Sequence, residues 1–497
     1  MLRRLILLRR LLILTRPLLI LLRRLLILTR RSVILTALAA LVPSGASALP
    51  GPATFSRGAV DNSLFMNATD PVRSLWLERV RNLGSTSVRL QAAWALIAPD
   101  QPRRGFRASD PSDPQYRWSA LDAAVRAAVA HGQTVLLMAS EAPTWAEASD
   151  MPAGFPYSGI WKPDARAFGQ FAHALALRYS GHFRDGSGVR LPRVRYFQAW
   201  NEPNLPYYLA PQWARNGNGP WTPVSPGIYR GLLNAFYAGA KSAQPDSAVL
   251  AAGTAPYGDP PATGIGRMYP VTFLEGLFCL TPRLGPAACP DPPHLDILDH
   301  HPYAAWPTVH ARQAGDISVP DLDKIWRVVH AAQRLHRVVP DGPKSLWITE
   351  IDWESSPPPS TLASQTQALA LSFYELWQQD VSRVFWFEVI DPPLRPDTFA
   401  GAGLYNADGS AKPATAAYRF PFVAVSATHH RYVLWGRAPR PGAVAVEKLT
   451  RTGWRRVVSL PTTRGGIFYT VRPFRKGVEL RAVIGSDVSP VYVVGNP

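Results

Sequence analysis

Two glutamates stand where a carboxylate is costly. Glu202 follows the apolar run Val194–Trp200 in Asn201-Glu202-Pro203-Asn204-Leu205, and Glu350 closes Leu346-Trp347-Ile348-Thr349. A carboxylate ending an apolar strand is expensive to bury unless it is paired or used. Two that face each other can divide the cleavage of a glycosidic bond. One protonates the leaving oxygen while the other attacks the anomeric carbon, and about 5–5.5 Å between the carboxyl groups leaves no room for a water. The competing reading pairs each glutamate with a nearby arginine for stability alone. Other chemistries find less support. In Asp299-His300-His301-Pro302-Tyr303 the two histidines are adjacent on a strand and face opposite sides, so they do not share one metal. Cys279 and Cys289 are the only cysteines and have no further ligand at zinc spacing. They form a disulfide or remain two thiols. Asn67-Ala68-Thr69-Asp70 stands where a phosphate loop would be rich in glycine, which argues against a dinucleotide fold. The expectation is chemistry with no metal and no cofactor.

Between Ser63 and Tyr418 short apolar runs alternate with helical patterns. The strand candidates are Leu64–Met66, Thr86–Gln91, Thr134–Ala139, Val194–Trp200, Ala248–Gly253, Leu295–His301, Ser345–Thr349 and Arg383–Phe387. Each is bounded by turn residues, as buried parallel strands are. The helical segments carry caps at their starts and glycine at their ends: Val72–Leu83 before Gly84, Ser119–His131 before Gly132, Asp164–Ser180 before Gly181. Eight such units in one run predict an α/β chain with a closed (β/α)8 TIM barrel, whose chemistry lies at the C-terminal ends of the strands. After residue 420 short strands at regular spacing, Ala443–Lys448, Trp454–Leu460, Ile467–Val471, Val478–Ile484 and Val491–Val494, predict a small C-terminal β-sandwich. The predicted domains are a leader over residues 1–48, the barrel over 49–420 and the sandwich over 421–497.

Trp200-Asn201-Glu202-Pro203-Asn204-Leu205 resembles the acid/base signature of the clan A glycoside hydrolases, and most of all family 39, the β-xylosidases and α-L-iduronidases. Trp347-Ile348-Thr349-Glu350 is similar to the clan's nucleophile strand. The resemblance covers the barrel. It implies a retaining O-glycosidase with Glu202 as general acid/base and Glu350 as nucleophile, acting through a glycosyl-enzyme intermediate. It also implies that Asn201 holds the sugar 2-hydroxyl, that Arg89 supports the nucleophile, that His301 and Tyr303 contact nucleophile and sugar, and that Trp386 forms the floor under the reacting ring. Arg89 would favour ionised Glu350, and an apolar setting would keep Glu202 protonated. Asp352 shares the parity of Glu350 and is the fallback nucleophile; Glu141, Glu354 and Trp145 are weaker candidates near the same face. The loops Leu205–Pro226 and Pro256–Pro270 depart from the family, which puts its substrates in question but not its chemistry. A transglycosylase using the same site and a non-catalytic glycan-binding protein on a degenerate barrel are the alternatives.

Charge divides the chain. The first 48 residues hold nine arginines and no acid, and residues 421–497 hold twelve Lys/Arg against Glu447, Glu479 and Asp487. The total of +18 therefore leaves the central stretch with 32 basic and 32 acidic residues. Nothing there supplies the basic, aromatic-interleaved face that nucleic acid requires. In the leader, Arg9–Arg16 (RRLLILTR) recurs as Arg23–Arg30, then Ser32–Val42 is apolar and Ala46-Ser47-Ala48 is a small-residue site. That order predicts a signal peptide cleaved after Ala48 and a secreted or envelope protein whose partner is carbohydrate. A start assigned too early and an uncleaved membrane anchor are the other readings.

Overall fold

Eight parallel strands close on themselves in the computed structural model, which describes residues 50–392, 401–428 and 430–495. The strands are β1 Ser56–Val60, β2 Ser87–Ala93, β3 Thr134–Ser140, β4 Tyr196–Ala199, β5 Ala248–Thr254, β6 Ile297–His300, β7 Ser345–Ile351 and β8 Val381–Phe387. A helix follows each: α1 Asp70–Asn82, α2 Ser119–Ala130, α3 Ala165–Arg178, α4 Ser225–Ala243, α5 Pro270–Leu277, α6 Asp323–Arg334, α7 Leu362–Gln378 and α8 Ala414–Arg419. β1 pairs with both β2 and β8, so the barrel has no edge. The predicted leader and its cleavage site lie outside the described residues. Among the described residues no helix is long and apolar enough to cross a membrane.

Side chains alternate in and out along each strand. Val60, Leu136, Leu250, Ile297, Trp347 and Phe385 point inward and pack as one cluster. Burying each such side chain contributes about 1.5–3 kcal/mol. Tyr196 and Trp347 rings lie 4.9 Å apart, and the Arg383 guanidinium sits 4.2 Å from the Trp347 ring centre. These groups fill the lower barrel and leave the upper mouth to polar residues.

The first strand is not Leu64–Met66. It is Ser56–Val60, and Asn62–Phe65 is a short helix capped by Asp61, whose carboxylate accepts from the Leu64 N–H. Arg57 disguises the strand. Its side chain is fully buried and donates to the carbonyls of Tyr418 and Arg419, a use of arginine that an apolar pattern does not reveal.

Besides the two-residue strand Asp487–Val488, the C-terminal sandwich contains two strands beyond those expected, β9 Phe422–Thr428 and β10 Arg431–Arg437. They form a hairpin, and with β13 Ile467–Pro473 they make a three-stranded antiparallel sheet. β11 Ala443–Thr450, β12 Gly453–Pro461 and β14 Glu479–Ile484 form the core of the second sheet. Trp435 of β10 carries the contact with the barrel: its ring lies 6.3 Å from Phe55, 5.8 Å from Tyr374 and 5.6 Å from Trp377. Cys279 and Cys289 are joined in a disulfide after α5, their Cα atoms 5.6 Å apart.

Helices α3 and α4 touch backbone to backbone at Gly169 and Gly239. A Cβ on Gly239 would lie 2.1 Å from the Gly169 carbonyl oxygen. Gly239→Ala therefore forces the helices apart and destabilises by about 1–3 kcal/mol. Gly227, also in α4, has open space around it, so Gly227→Ala leaves stability unchanged or raises it. Thermal unfolding of the two variants checks the contrast: a lowered midpoint for the first only.

Candidate active site

At the mouth of the barrel one guanidinium meets three strands. Arg89, on an inward position of β2 and 3% exposed, donates through Nε to Gln198 Oε1 at 2.8 Å. It donates through one terminal nitrogen to Glu350 Oε1 at 2.5 Å and through the other to Asn201 Oδ1 at 2.7 Å. A buried cation keeps its charge at tolerable cost only when paired and hydrogen-bonded on all sides, and Arg89 is.

The two carboxylates reach the mouth by different backbone devices. On β7 an extra residue interrupts the pairing with β8: Ile348 faces Val384, but Ile351 faces Trp386. This bulge lets Thr349 and Glu350 both turn toward the interior. Glu202 is aimed by a strained turn after β4. Trp200 (φ 73°) and Glu202 (φ 38°) lie in the left-handed region, where a residue with a side chain costs about 1–3 kcal/mol. Fixed hydrogen bonds hold the turn. Glu202 N–H donates to Gly253 O at 3.1 Å, and Asn204 Nδ2 donates to the carbonyls of Ala255 and Met268 at 3.1 and 3.0 Å.

His301 stands between the glutamates. Its Nδ1 lies 2.9 Å from Glu202 Oε1 and 3.6 Å from Glu350 Oε2, and its Nε2 lies 2.9 Å from Thr349 Oγ1. The Thr349 hydroxyl donates to Asp299 Oδ2 at 2.7 Å, so its oxygen accepts from His301 Nε2–H. Nδ1 and Glu202 then share a single proton. Tyr303 donates its hydroxyl to Glu350 Oε2 at 3.1 Å. Around these groups lies a cavity of about 290 Å³, also lined by Asn62, Gln91, Glu141, Tyr208 and Phe387.

The environments push the carboxyls apart. Burial, with the charge of Glu350 added, raises Glu202 above the ordinary range although His301 opposes it. Burial acts on Glu350 in the same direction, but His301, Arg89 and the Tyr303 hydroxyl outweigh it and hold Glu350 below the ordinary range. His301 is raised because Glu350, Glu202 and Asp299 together overcome its burial. Burial lifts Asp299 to about 6.

Arg89, Asn201, Glu202, His301, Tyr303 and Glu350 thus meet at one mouth. Trp386 does not join them. Phe385 and Phe387 occupy the inward positions of β8, so Trp386 faces outward, fully buried, with its indole N–H on the Ala402 carbonyl at 3.1 Å. Phe387 lines the cavity in its place. His300 turns away between Thr254 Oγ1 and Ile317 O, and burial lowers it to about 3. Asp352 lines a neighbouring cavity, and burial among Glu354, Glu350 and Glu388 raises it well above the carboxylate range, unsuited to a nucleophile. Trp145 packs edge-on against Trp94 and Phe106. Sequence reasoning missed Gln91, Asn62 and Tyr208. Gln91 was within reach, because it shares the inward parity of Arg89; it donates to Glu141 Oε1 at 3.0 Å and accepts from Asn62 at 3.0 Å.

Glu202, His301 and Glu350 offer ligand atoms within 4.8 Å of one another, the one such group among the described residues. Both His301 nitrogens are engaged, however, and Arg89 already balances Glu350.

No family model matches this chain, and no curated protein matches it. Among solved structures it is similar to a family 39 glycoside hydrolase from the gut symbiont Bacteroides cellulosilyticus, at 17% identity over 86% of this chain and 81% of that one, with a TM-score of 0.50. A monomeric β-xylosidase from Caulobacter crescentus is 16% identical over 86% of this chain and 98% of its own, with a TM-score of 0.48. The first likeness shows that the chain has the fold of a family 39 glycoside hydrolase.

Arg89→Gln removes the cation that keeps Glu350 ionised. The Glu350 carboxyl then titrates at higher pH than in the unaltered protein, as followed by carbon NMR of labelled glutamate.

Proposed function

We propose that this chain is an exported retaining O-glycoside hydrolase that works by double displacement. The observation that carries the reading is the unequal pair of carboxylates, whose nearest oxygens lie within 4.8 Å with His301 between them. That spacing suits direct attack by a carboxylate better than attack by a water placed between the two.

Arg89 occupies Glu350 Oε1, which leaves Oε2 to attack the anomeric carbon. As that bond forms, Glu202 gives its proton to the departing glycosidic oxygen, and the sugar is left as an ester on Glu350. Glu202, now ionised, takes a proton from a water that attacks the same carbon and releases Glu350. Burial supports the first step by keeping Glu202 protonated. Asn201 has its Oδ1 committed to Arg89, which leaves its amide N–H groups for a sugar hydroxyl. Phe387 supplies an apolar face for the ring. The Cys279–Cys289 disulfide suits a compartment outside the reducing cytoplasm.

Against a panel of aryl glycosides and polysaccharides, Glu350→Ala reduces turnover to background. Glu202→Ala loses about 10²–10⁴-fold on substrates with poor leaving groups and much less on dinitrophenyl glycosides, which need little protonation. Wild-type activity in the Glu350 variant would overturn the assignment.

The two limbs of the pH profile follow the same logic. Activity in kcat/KM rises with pH as Glu350 ionises, below the ordinary carboxyl range, and falls as Glu202 loses its proton, above it. The plateau is wider than two unperturbed carboxyls would give, and Glu202→Ala removes its alkaline limb on activated substrates.

A further inference from the structure

The sandwich carries a groove of about 820 Å³ between its two sheets. Its floor is apolar, with Val457, Val458 and Val478 beside Phe474, and three cations flank it: Lys448, Arg472 and Arg475. The register shows why the groove is open. On β11, Val444 and Val446 are buried and face the other sheet, and Lys448 continues the same face, paired with the buried Leu480. On β13, Phe468 lies on the face opposite the one that Trp435 and Tyr469 turn to the barrel, and Arg472 shares its parity. A valine or leucine at either position would close the end of the core. A cation stands at both.

These cations have no internal use. The side chains of Lys448, Arg472 and Arg475 make no ion pair or hydrogen bond among the described residues, whereas Glu447 is held by Arg481 at 2.8 Å and Asp487 by Arg419 at 2.7 Å. Beyond the leader the excess charge belongs to this domain, since the barrel stretch of the sequence is balanced. Long cationic side chains beside an apolar floor suit a chain of acidic sugars. Carboxylates or sulfates pair with the cations while the C–H faces of the rings cover the valines. Single-stranded nucleic acid is a poorer match, because stacking needs a series of exposed aromatics and the lining offers the half-buried Phe474 ring and the His430 imidazole alone. We propose that this groove binds an acidic polysaccharide, at a site separate from the barrel mouth.

The test uses the whole protein and polygalacturonate, with dextran and single-stranded DNA alongside, in affinity electrophoresis and fluorescence titration. Binding to polygalacturonate is expected at low salt, weakening as salt rises. Lys448→Gln/Arg472→Gln/Arg475→Gln should weaken it about tenfold or more, since each lost contact also forgoes the release of counterions. Hydrolysis of small aryl glycosides should not change. Arg451→Gln/Arg455→Gln/Arg464→Gln removes the same charge from exposed positions outside the groove and should retain most of the binding. No binding to polygalacturonate, equal weakening by both triple variants, or equally tight binding of single-stranded DNA through the same three residues would each overturn the proposal.

Discussion

A buried guanidinium is among the more demanding groups a protein interior can hold, and much of this site follows from meeting the needs of Arg89. Left unpaired in the barrel mouth it would cost several kcal/mol. The chain answers with Gln198 from β4, Asn201 from the turn beyond it and Glu350 from β7. Each answer has a second effect. Binding Glu350 keeps that carboxylate charged. Binding Asn201 fixes the turn that carries Glu202. Because the cation lies against one glutamate, the other remains with His301 and its own burial. Two residues of the same type therefore hold their protons differently.

The two carboxylates also show how a regular barrel is made to deliver irregular geometry. Strict alternation on β7 would turn Glu350 outward once Trp347 and Thr349 faced in. The bulge breaks that alternation at one residue. After β4 the same task falls to left-handed backbone at Trp200 and Glu202, retained by Asn204 and by a bond to the neighbouring β5 end. Neither device needs a long loop, so both glutamates stand on framework that the barrel's own pairing makes rigid.

Much of this was legible in the sequence, because parallel strands buried on both faces read as apolar runs and helices announce their ends with caps and glycine. The glutamates were visible as acids closing such runs. What stayed hidden has physical causes. β1 was misplaced because Arg57, a charged residue, is buried by backbone carbonyls from the far end of the chain. Trp386 stands as the floor on residue type and resemblance, whereas strand parity, set by Phe385 in the cluster below, decides that Phe387 faces the cavity. The inward turn of Glu350 depends on the bulge, and a bulge leaves no mark in composition. β9 and β10 were overlooked as the start of the sandwich, although the pattern of the five later strands was clear.

The segment before β1 is tied to the far end of the chain. Pro52 accepts from the Trp377 indole, Ala53 from Thr463, Phe55 from Arg437, and Arg57 reaches Tyr418 and Arg419. Nearly every partner of the earliest part of the barrel is made more than 300 residues later. During synthesis β1 can pair with β2, but its other edge waits for β8, and its flank waits for the sandwich. Sealing of the barrel therefore waits for residues 381–387, and the hydrogen bonds on the β1 flank are completed by the sandwich that follows. In the finished molecule the sandwich lies over the start of the first strand as a clasp, holding the carbonyls of Ala53 and Phe55.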